Sequence, residues 1–473
     1  MMVDGQADVI VVGAGMSGLC ASVAALERGA RVIAVDKGTR FGGSMALSGG
    51  SIWTFKDMDL VQEYIPDGNP LLQSMVVDGL SEAHDWLEGH GVALEPACDM
   101  GEGYGRQAEP PEMTATLVKR VRTLGGQLHT ETALADLLYE GGAVRGVRAF
   151  GSDGEMAFET EAVVLATGGF QGNPELVTRY ISPNVSNMYV RSNPWSTGDA
   201  FLAATQIGAA ITPGLDCFYG HALAAPPASF APIEFLDMSQ KYGTIAVALN
   251  LDGARFTDES VGSGEEVLNI AIAHQRNATA FYVLDDRLME MLPPQGPLPR
   301  VSIERVRSRG GTVIESDTLK GLCRLMGEHG VHSHRALATL NEFNAAILEE
   351  RTEELFPERR KNPFPLVRPP FTAIPVRPGI TFSNGGMEVD GEMRVLRRLT
   401  TISTNPNVVA DQSEMTFNVI PGLYAAGCDA GNISHGGYMG GLAQALVTGR
   451  IAGHFAANLA LLARDAGTTR RPE

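Results

Sequence analysis

Three glycines near the N-terminus have the spacing of a turn that holds a phosphate group. Gly13, Gly15 and Gly18 form a GxGxxG pattern, and Asp36 follows Gly18 by eighteen positions. In such a turn the second glycine lets the backbone approach a pyrophosphate, and the third permits close packing of a helix on a strand. A carboxylate at Asp36 accepts a hydrogen bond from a ribose hydroxyl and disfavours a 2′-phosphate. The pattern therefore predicts a dinucleotide site that disfavours NADP.

The residues around this turn supply the elements that it needs. Residues 8–12 (DVIVV) are almost continuously apolar, as expected of a strand buried on both faces of a parallel sheet. A helical stretch follows the glycines, and residues 31–35 form a second apolar strand that ends at Asp36. Together these segments predict a complete βαβ unit.

Further glycine-rich segments favour FAD over NAD. Residues 42–44 (GGS) and 48–50 (SGG) suit a cofactor that extends beyond its pyrophosphate, and residues 166–169 (ATGG) supply a second close backbone approach. Near the C-terminus, Asp429 precedes a glycine loop and a helix whose positive end can face a flavin, where negative charge collects on reduction. An NAD domain with one lobe needs none of these segments, so they predict FAD.

The chain of 473 residues is longer than a single hydrophobic core normally supports. Between 206 and 375 prolines cluster, and the apolar spacing predicts helices over 319–327 and 336–355. We interpret this segment as an inserted α+β capping domain that binds the substrate. The predicted fold class is α/β, with a Rossmann-type, glutathione-reductase-like FAD-binding domain over 1–205 and 376–473 that the cap over 206–375 interrupts.

Composition excludes several classes of function. The formal net charge of −18 disfavours binding to nucleic acid or to an acidic membrane surface. Five scattered cysteines without a CxxC motif predict neither disulfides nor a zinc site, and they fit a reducing cytoplasm. His332 and His334 have metal-ligand spacing but no acidic or cysteine partners nearby, so no metal is predicted. We expect a cytoplasmic protein without an export signal or an apolar segment of the roughly 18–20 residues that span a bilayer.

Seven motifs lie along almost the whole chain: VVGAGMSGLCAS, FGGSMALSGGSIW, VVLATGGF, STGDA, LNLDGARFTDES, GLYAAGCDAG and YMGGLAQALVTGRIAG. In this order they resemble the fumarate reductase/succinate dehydrogenase flavoprotein superfamily, which includes the 3-ketosteroid dehydrogenases. The resemblance implies an FAD domain interrupted by a cap, with the substrate between the cap and the flavin.

The resemblance also implies the cofactor contacts. Asp36 and Lys37 flank the adenosine ribose, while the glycine-rich loops and the turn before the last helix line the flavin. The predicted contacts are Gly13, Gly15, Met16, Ser17, Gly18, Asp36, Lys37, Gly42, Gly43, Ser44, Ser48, Gly49, Gly50, Leu134, Ala166, Thr167, Gly168, Asp199, Asp429, Gly441, Leu442 and Ala443.

Departures from the family's pattern bear on the chemistry. Ser44 stands where members that hold FAD covalently have a histidine, which predicts non-covalent FAD. The segment RFTDESVGSG offers serine in place of an arginine, ITFSNGG lacks a histidine pair, and Tyr438 replaces an arginine before the last helix. Three cationic groups that would bind a dicarboxylate are therefore missing, so fumarate and succinate are disfavoured as substrates.

A tyrosine at position 438 resembles the ketosteroid dehydrogenase branch. There, a tyrosine hydroxyl and a backbone N–H polarise a ring ketone, and a second tyrosine removes the neighbouring proton. Tyr438, followed by two glycines at a helix start, can build such an oxyanion site. The candidates for the base, in order of preference, are Tyr242, at the start of the predicted strand GTIAVALN, then Tyr104, His221 and Tyr219.

The sequence therefore predicts an FAD-dependent dehydrogenase that desaturates the α,β C–C bond of a cyclic ketone, such as a 3-ketosteroid or a cyclohexanone-type compound. Its expected partners are that small molecule and an unidentified electron acceptor. One alternative is an ene reductase that runs in the opposite direction. Another is a flavin electron-transfer protein, which the large cap disfavours. His435 either bonds to its own loop backbone or lies near the flavin or substrate, and it is included among the candidate catalytic residues.

Overall fold

A parallel sheet forms the centre of the computed structural model. The model describes residues 5–152, 154–262, 264–398 and 417–468. Val9–Val12 lies between Val32–Val35 and Ala162–Leu165, and all three strands run parallel and are fully buried. Burial on both faces explains why their sequences are continuously apolar. The full strand order is Arg394–Arg398, Phe417–Ala425, Ala162–Leu165, Val9–Val12, Val32–Val35 and Gln127–His129.

Two helices contact each other beside this sheet, Met16–Glu27 and Gly441–Thr468. A Cβ at Gly453 would lie 2.2 Å from the backbone oxygen of Ala21, so glycine allows the helix backbones to touch. By length and composition the last helix could cross a membrane, but 56% of its apolar window is buried within the protein. The expectation that no segment has such a length is wrong, and packing against Met16–Glu27 accounts for the apolar composition.

A three-stranded sheet begins directly after the glycine-rich segment 48–50. Ser51–Phe55 pairs antiparallel with Gly103–Gln107, which also pairs with Cys98–Asp99. A Cβ at Gly105 would lie 2.5 Å from the Trp53 Cβ, so glycine makes room for the indole. The pairing joins residues far apart in the chain, which local patterns do not reveal. A separate four-stranded sheet contains Gly5–Gln6, Gly154–Glu159, Ala143–Gly151 and Ala133–Glu140.

The apolar side chains form two large clusters. The first draws on residues 7–204 and 387–460, and the second on residues 222–376. The second cluster surrounds a sheet of Leu223–Ala224, Phe371–Arg377, Ala280–Leu284, Val247–Asn250 and Ile314–Ser316. It lies within the segment predicted as the cap, and that this segment is a separate inserted domain remains our interpretation.

Two short strand pairs join the segments near the boundary between these clusters. Tyr189–Val190 pairs with Gly379–Ile380, and Phe218–Tyr219 pairs with Phe382–Ser383.

The helix predicted over 336–355 is observed at Ser333–Leu348, so it begins and ends earlier than expected. The other α-helices are Met58–Tyr64, Pro70–Gly89, Pro110–Thr123, Pro174–Tyr180, Asp199–Gln206, Phe235–Met238, Glu266–Ala273, Pro299–Ser308 and Leu319–Gly327.

Candidate active site

A cavity of about 580 Å³ lies between the carboxyl edge of the central sheet and the 206–375 segment. Its volume is that of a small-molecule site. One end, which we call the glycine end, contains Gly13, Gly15 and Asp36. The other, which we call the aromatic end, contains Trp53, Tyr219, Phe382 and Tyr438.

The glycine end has the shape that a pyrophosphate needs. Gly13 has φ +104°, and a Cβ there would lie 2.1 Å from the Ala166 oxygen, so only glycine fits. At Gly15 a Cβ would meet only the Gly42 oxygen, at 3.8 Å, which leaves open space at the start of helix Met16–Glu27. An open face at a helix N-terminus fits the phosphates of FAD.

Two carboxylates mark the nucleotide side of this end. Asp36 accepts hydrogen bonds from the N–H groups of Ala14 and Gly38, both at 2.7 Å. Burial raises the pKa of Asp36, and these two bonds and the Lys37 charge oppose that rise. Lys37 lies 2.7 Å from an oxygen of Asp199. The backbone donors hold the Asp36 carboxylate in place while each of its oxygens keeps a free lone pair for a ribose hydroxyl.

Asp429 lies behind the cavity wall, although the sequence predicts it as a direct flavin contact. Its carboxylate accepts hydrogen bonds from the Thr167 N–H at 2.5 Å, the Thr167 hydroxyl at 2.9 Å and the Gly169 N–H at 3.2 Å. These bonds fix the glycine turn that lines the cavity, so Asp429 acts on the site through Thr167.

Three more predicted contacts, Gly18, Gly42 and Ala443, also lie outside the cavity lining. A Cβ at Gly18 would lie 1.9 Å from the Gly13 oxygen, so Gly18 serves helix–strand packing. The predicted contacts that line the cavity are Gly13, Gly15, Met16, Ser17, Asp36, Lys37, Gly43, Ser44, Ser48, Gly49, Gly50, Leu134, Ala166, Thr167, Gly168, Asp199, Gly441 and Leu442.

Two stacked tyrosines form a wall of the aromatic end. The rings of Tyr219 and Tyr438 lie 3.6 Å apart at an interplanar angle of 10°, and Trp53 meets Tyr438 edge-on. Burial raises the pKa of Tyr438, although the Gly441 N–H, the neighbouring Tyr219 and Trp53 side chains and the Arg191 charge all lower it. Tyr438 is therefore a neutral hydroxyl donor beside a helix N-terminus.

A chain of hydrogen bonds leads from Tyr219 into the interior. The Tyr219 hydroxyl lies 3.0 Å from Nε2 of His221, and Nδ1 of His221 lies 3.0 Å from Oε1 of Glu265. Glu265 also accepts hydrogen bonds from the Ala222 N–H at 2.8 Å and the Tyr282 hydroxyl at 2.7 Å. The side chains of His221 and Glu265 are buried. Tyr219 thus connects the cavity to a buried pair of titratable groups.

Tyr242, the preferred candidate for the base, lies outside the cavity lining. It precedes the 3-10 turn Gly243–Ile245 instead of opening a strand, and its ring is fully buried in the second apolar cluster. Its hydroxyl donates to Oε1 of Gln240 at 2.9 Å. Because burial and this bond remove Tyr242 from the cavity, Tyr219 takes its place as the candidate base.

Tyr104 and His435 also lie outside the cavity lining. The Tyr104 hydroxyl donates to a backbone carbonyl at 3.0 Å. His435 contacts the Asp67 carbonyl oxygen at 3.2 Å, as in the alternative of a backbone-bonded loop histidine. His435, Asp216 and Cys217 bring possible ligand atoms within 4.8 Å of one another. Asp216 is exposed, and exposed acidic groups often lie near other possible ligands without an ion, so we assign no metal to this trio.

Arg191 and Lys241 line the aromatic end, and sequence patterns single out neither. Arg191 is 3% exposed, and it donates to the hydroxyls of Ser239 at 3.1 Å and Thr381 at 2.5 Å. Among the described residues, none forms a hydrogen bond with the second terminal nitrogen of Arg191 or with the Lys241 ammonium. Burial lowers the pKa of both groups. The only signal in the sequence is a lone arginine shortly before the STGDA motif.

The FAD binding domain family matches residues 8–442 of the chain. The chain belongs to the fumarate reductase/succinate dehydrogenase flavoprotein family. The predicted family, its FAD-binding α/β fold and the use of FAD are thereby confirmed. This flavoprotein is an FAD-dependent oxidoreductase.

The flavoprotein is similar to relatives with different substrates. It is 26% identical to NADH:fumarate oxidoreductase of Klebsiella pneumoniae, over 96% of this chain and 48% of that protein. It is 23% identical to 3-oxosteroid 1-dehydrogenase of Mycobacterium tuberculosis, over 89% and 92% of the two chains. The structure of 3-ketosteroid delta1-dehydrogenase from Sterolibacterium denitrificans shares its fold, with a TM-score of 0.72, 18% identity and coverage of 96% and 99%. The chain spans about half the length of the first of these relatives.

Proposed function

We propose that this flavoprotein desaturates the C–C bond next to the carbonyl group of a small cyclic ketone. The observation that carries the proposal is the stacked pair of Tyr219 and Tyr438 at the aromatic end of the cavity. Desaturation beside a carbonyl needs a donor to the oxygen and an acceptor for the α proton. Tyr438 supplies the donor, and Tyr219 supplies the acceptor.

Tyr438 binds the carbonyl oxygen of the substrate. Because burial keeps its hydroxyl protonated, it donates a hydrogen bond to that oxygen. Loss of the α proton makes the oxygen an enolate, and the helix N-terminus at Gly441 and the Arg191 guanidinium, which both act on Tyr438, favour negative charge next to its hydroxyl. The site therefore stabilises negative charge where the reaction creates it.

Tyr219 removes the α proton. Burial raises its pKa well above the usual value, so Tyr219 does not rest as a phenolate. It accepts the substrate's proton while its own hydroxyl proton passes to His221, 3.0 Å away. This exchange avoids an isolated buried phenolate.

We assign the cofactor to the glycine end of the cavity and the substrate to the aromatic end. Bound FAD supplies the acceptor for the hydride that leaves the β carbon. The glycine end holds it, and we propose that it is held non-covalently because Ser44 cannot bond to it as a histidine would and no histidine is among the described lining residues. Trp53, Phe55, Phe235 and Phe382 give the aromatic end apolar walls that suit a carbon ring. A separate electron acceptor restores the oxidised enzyme.

Anaerobic mixing of the yellow protein with saturated cyclic ketones tests this proposal. We expect 3-ketosteroids or cyclohexanone-type compounds to bleach the flavin absorbance, and an artificial electron acceptor to restore it. Reoxidation of the reduced protein by enones, without bleaching by any saturated ketone, would reverse the proposed direction. A protein inert in both experiments would contradict the proposed substrate class.

A second candidate is the reverse reaction, reduction of an alkene activated by a carboxylate. It is favoured by the cations Arg191 and Lys241 at the aromatic end, because neither forms a salt bridge with a carboxylate of the described residues and a cation without an anionic partner favours an anionic ligand. The similarity to NADH:fumarate oxidoreductase is consistent with such a substrate.

Replacing Lys241 with methionine separates the two candidates. If the substrate is a carboxylate, Lys241→Met should weaken its binding about tenfold or more, because a charge-assisted hydrogen bond contributes roughly 1.5–3 kcal/mol. Titration of the oxidised protein with unsaturated carboxylates, followed by the flavin spectrum, measures this. Lys361→Met is the matched control, since Lys361 is 53% exposed and does not line the cavity. Equal weakening in both variants would remove Lys241 from substrate binding.

A further inference from the structure

We propose that Glu265 stores the proton that desaturation removes from the substrate, and that His221 carries it there from Tyr219. The inference rests on the proposed function and extends it to two residues that do not line the cavity. Glu265 is a positioning and proton-storing residue in this scheme, whereas Tyr219 contacts the substrate.

The contacts that define this relay come from separate, well-anchored elements. Tyr219 ends strand Phe218–Tyr219, and Glu265 immediately precedes helix Glu266–Ala273. The Glu265 carboxylate is fully buried, with Nδ1 of His221 at 3.0 Å, the Ala222 N–H at 2.8 Å and the Tyr282 hydroxyl at 2.7 Å. These groups can satisfy a buried carboxylate, whereas a buried carboxylate without such donors would be costly.

The substrate and the three relay residues together carry the same number of protons at the start and at the end of the transfer. At the start, Glu265 is ionised, His221 donates its Nδ1 proton to it, and Nε2 accepts the Tyr219 hydroxyl proton. When Tyr219 takes the α proton, its own proton moves to Nε2 and the Nδ1 proton moves to Glu265. The C–H electron pair remains on the substrate as the enolate. At the end, Tyr219 is again a phenol, His221 is again neutral, and Glu265 is a carboxylic acid.

The surroundings give Glu265 the proton affinity that storage requires. Burial raises its pKa to about 8, although its hydrogen bonds and the Arg191 charge lower it. Burial, with the charges of Arg191 and Lys241, lowers the pKa of His221 well below its usual value, so His221 passes the proton without keeping it. The titratable and charged groups that face Glu265 are His221, Tyr282, Arg191, Glu266, Lys241 and Tyr242.

This proton affinity gives the two reaction directions opposite pH dependence. Desaturation requires ionised Glu265, so its rate rises with pH until the pH passes about 8. Reduction of an alkene requires protonated Glu265, so its rate falls as the pH rises above about 8. The rate of desaturation falls about tenfold per pH unit below that value, and the rate of reduction falls about tenfold per pH unit above it.

Infrared titration measures the stored proton without turnover, in protein with and without FAD. We expect a carboxylic acid C=O band that disappears with a midpoint near pH 8 in the wild type and is missing in Glu265→Gln. In Tyr282→Phe the midpoint moves to higher pH, because that hydroxyl lowers the pKa of Glu265. No such band in the difference between wild type and Glu265→Gln would overturn the proposal. If Glu265→Gln does not fold, the Tyr282→Phe midpoint decides, and an unshifted midpoint overturns it.

Flavin bleaching by a ketone tests whether the stored proton is the substrate's. Glu265→Gln should slow it about 100-fold or more and abolish the inflection near pH 8, while the visible spectrum of bound FAD stays unchanged. Tyr438→Phe also slows bleaching but keeps the inflection, because the relay is intact. An inflection that survives in Glu265→Gln would overturn the proposal. If no ketone bleaches the wild type, the proposed function fails, and the infrared midpoint still tests the proton store.

Discussion

Replacing Tyr438 with phenylalanine is expected to slow ketone-driven flavin bleaching by about 10²–10³-fold, the usual effect of removing one oxyanion donor. The Tyr438 hydroxyl is the group that we place on the carbonyl oxygen, and phenylalanine keeps the ring stacked on Tyr219. The enolate then loses its donor while the apolar wall stays in place. Anaerobic rapid mixing with saturating ketone measures the rate, and the unchanged spectrum of bound FAD shows that the cofactor site is intact.

Tyr104→Phe is the matched control for this experiment. It removes a hydroxyl that donates to a backbone carbonyl and does not line the cavity, so we expect a bleaching rate close to that of the wild type. If Tyr438→Phe reacts as fast as Tyr104→Phe, Tyr438 has no part in the chemistry and the carbonyl oxygen binds elsewhere.

A second large effect is expected on stability, from Glu259→Gln in the 206–375 segment. Glu259 is fully buried, and Arg255 and Arg359 donate to its carboxylate at 2.6 and 3.0 Å. The amide removes the negative charge but leaves two buried guanidinium groups uncompensated. Breaking a buried ion pair in this way costs about 3–5 kcal/mol. Denaturant unfolding followed by far-ultraviolet circular dichroism measures the loss of unfolding free energy.

An exposed ion pair of the same segment provides the control. Arg324 and Glu328 form an i, i+4 pair, with side chains 70% and 62% exposed. Such pairs contribute roughly 0.3–0.5 kcal/mol, so Glu328→Gln should leave the unfolding free energy nearly unchanged. A Glu259→Gln variant as stable as Glu328→Gln would mean that solvent or a rearrangement compensates both arginines.

The phosphate turn could be predicted because its geometry is local. Gly13 has φ +104°, and the strand before it is apolar because both of its faces are buried. Both requirements can be read from neighbouring residues. The final helix is similar, although its apolar length alone does not distinguish a buried core helix from a membrane span.

The choice of base could not be predicted, because Tyr104, Tyr219 and Tyr242 carry the same side chain. Pairing of Phe218–Tyr219 with Phe382–Ser383 holds Tyr219 near Tyr438, whereas Tyr242 is enclosed in an apolar cluster. Arg191 and Lys241 could not be predicted for a related reason. The positions at which the family has cationic residues hold other residues here, and these two cations reach the cavity from other segments.

The sequence by itself determined the family, the cofactor and the glycine turns, because glycine spacing and strand apolarity can be read from a few neighbouring residues. Tertiary structure decided which hydroxyls, cations and buried acids meet at the aromatic end of the cavity. The physical reason is that those side chains belong to strands and turns far apart in the chain, and only their pairing and burial bring His221 and Glu265 behind Tyr219.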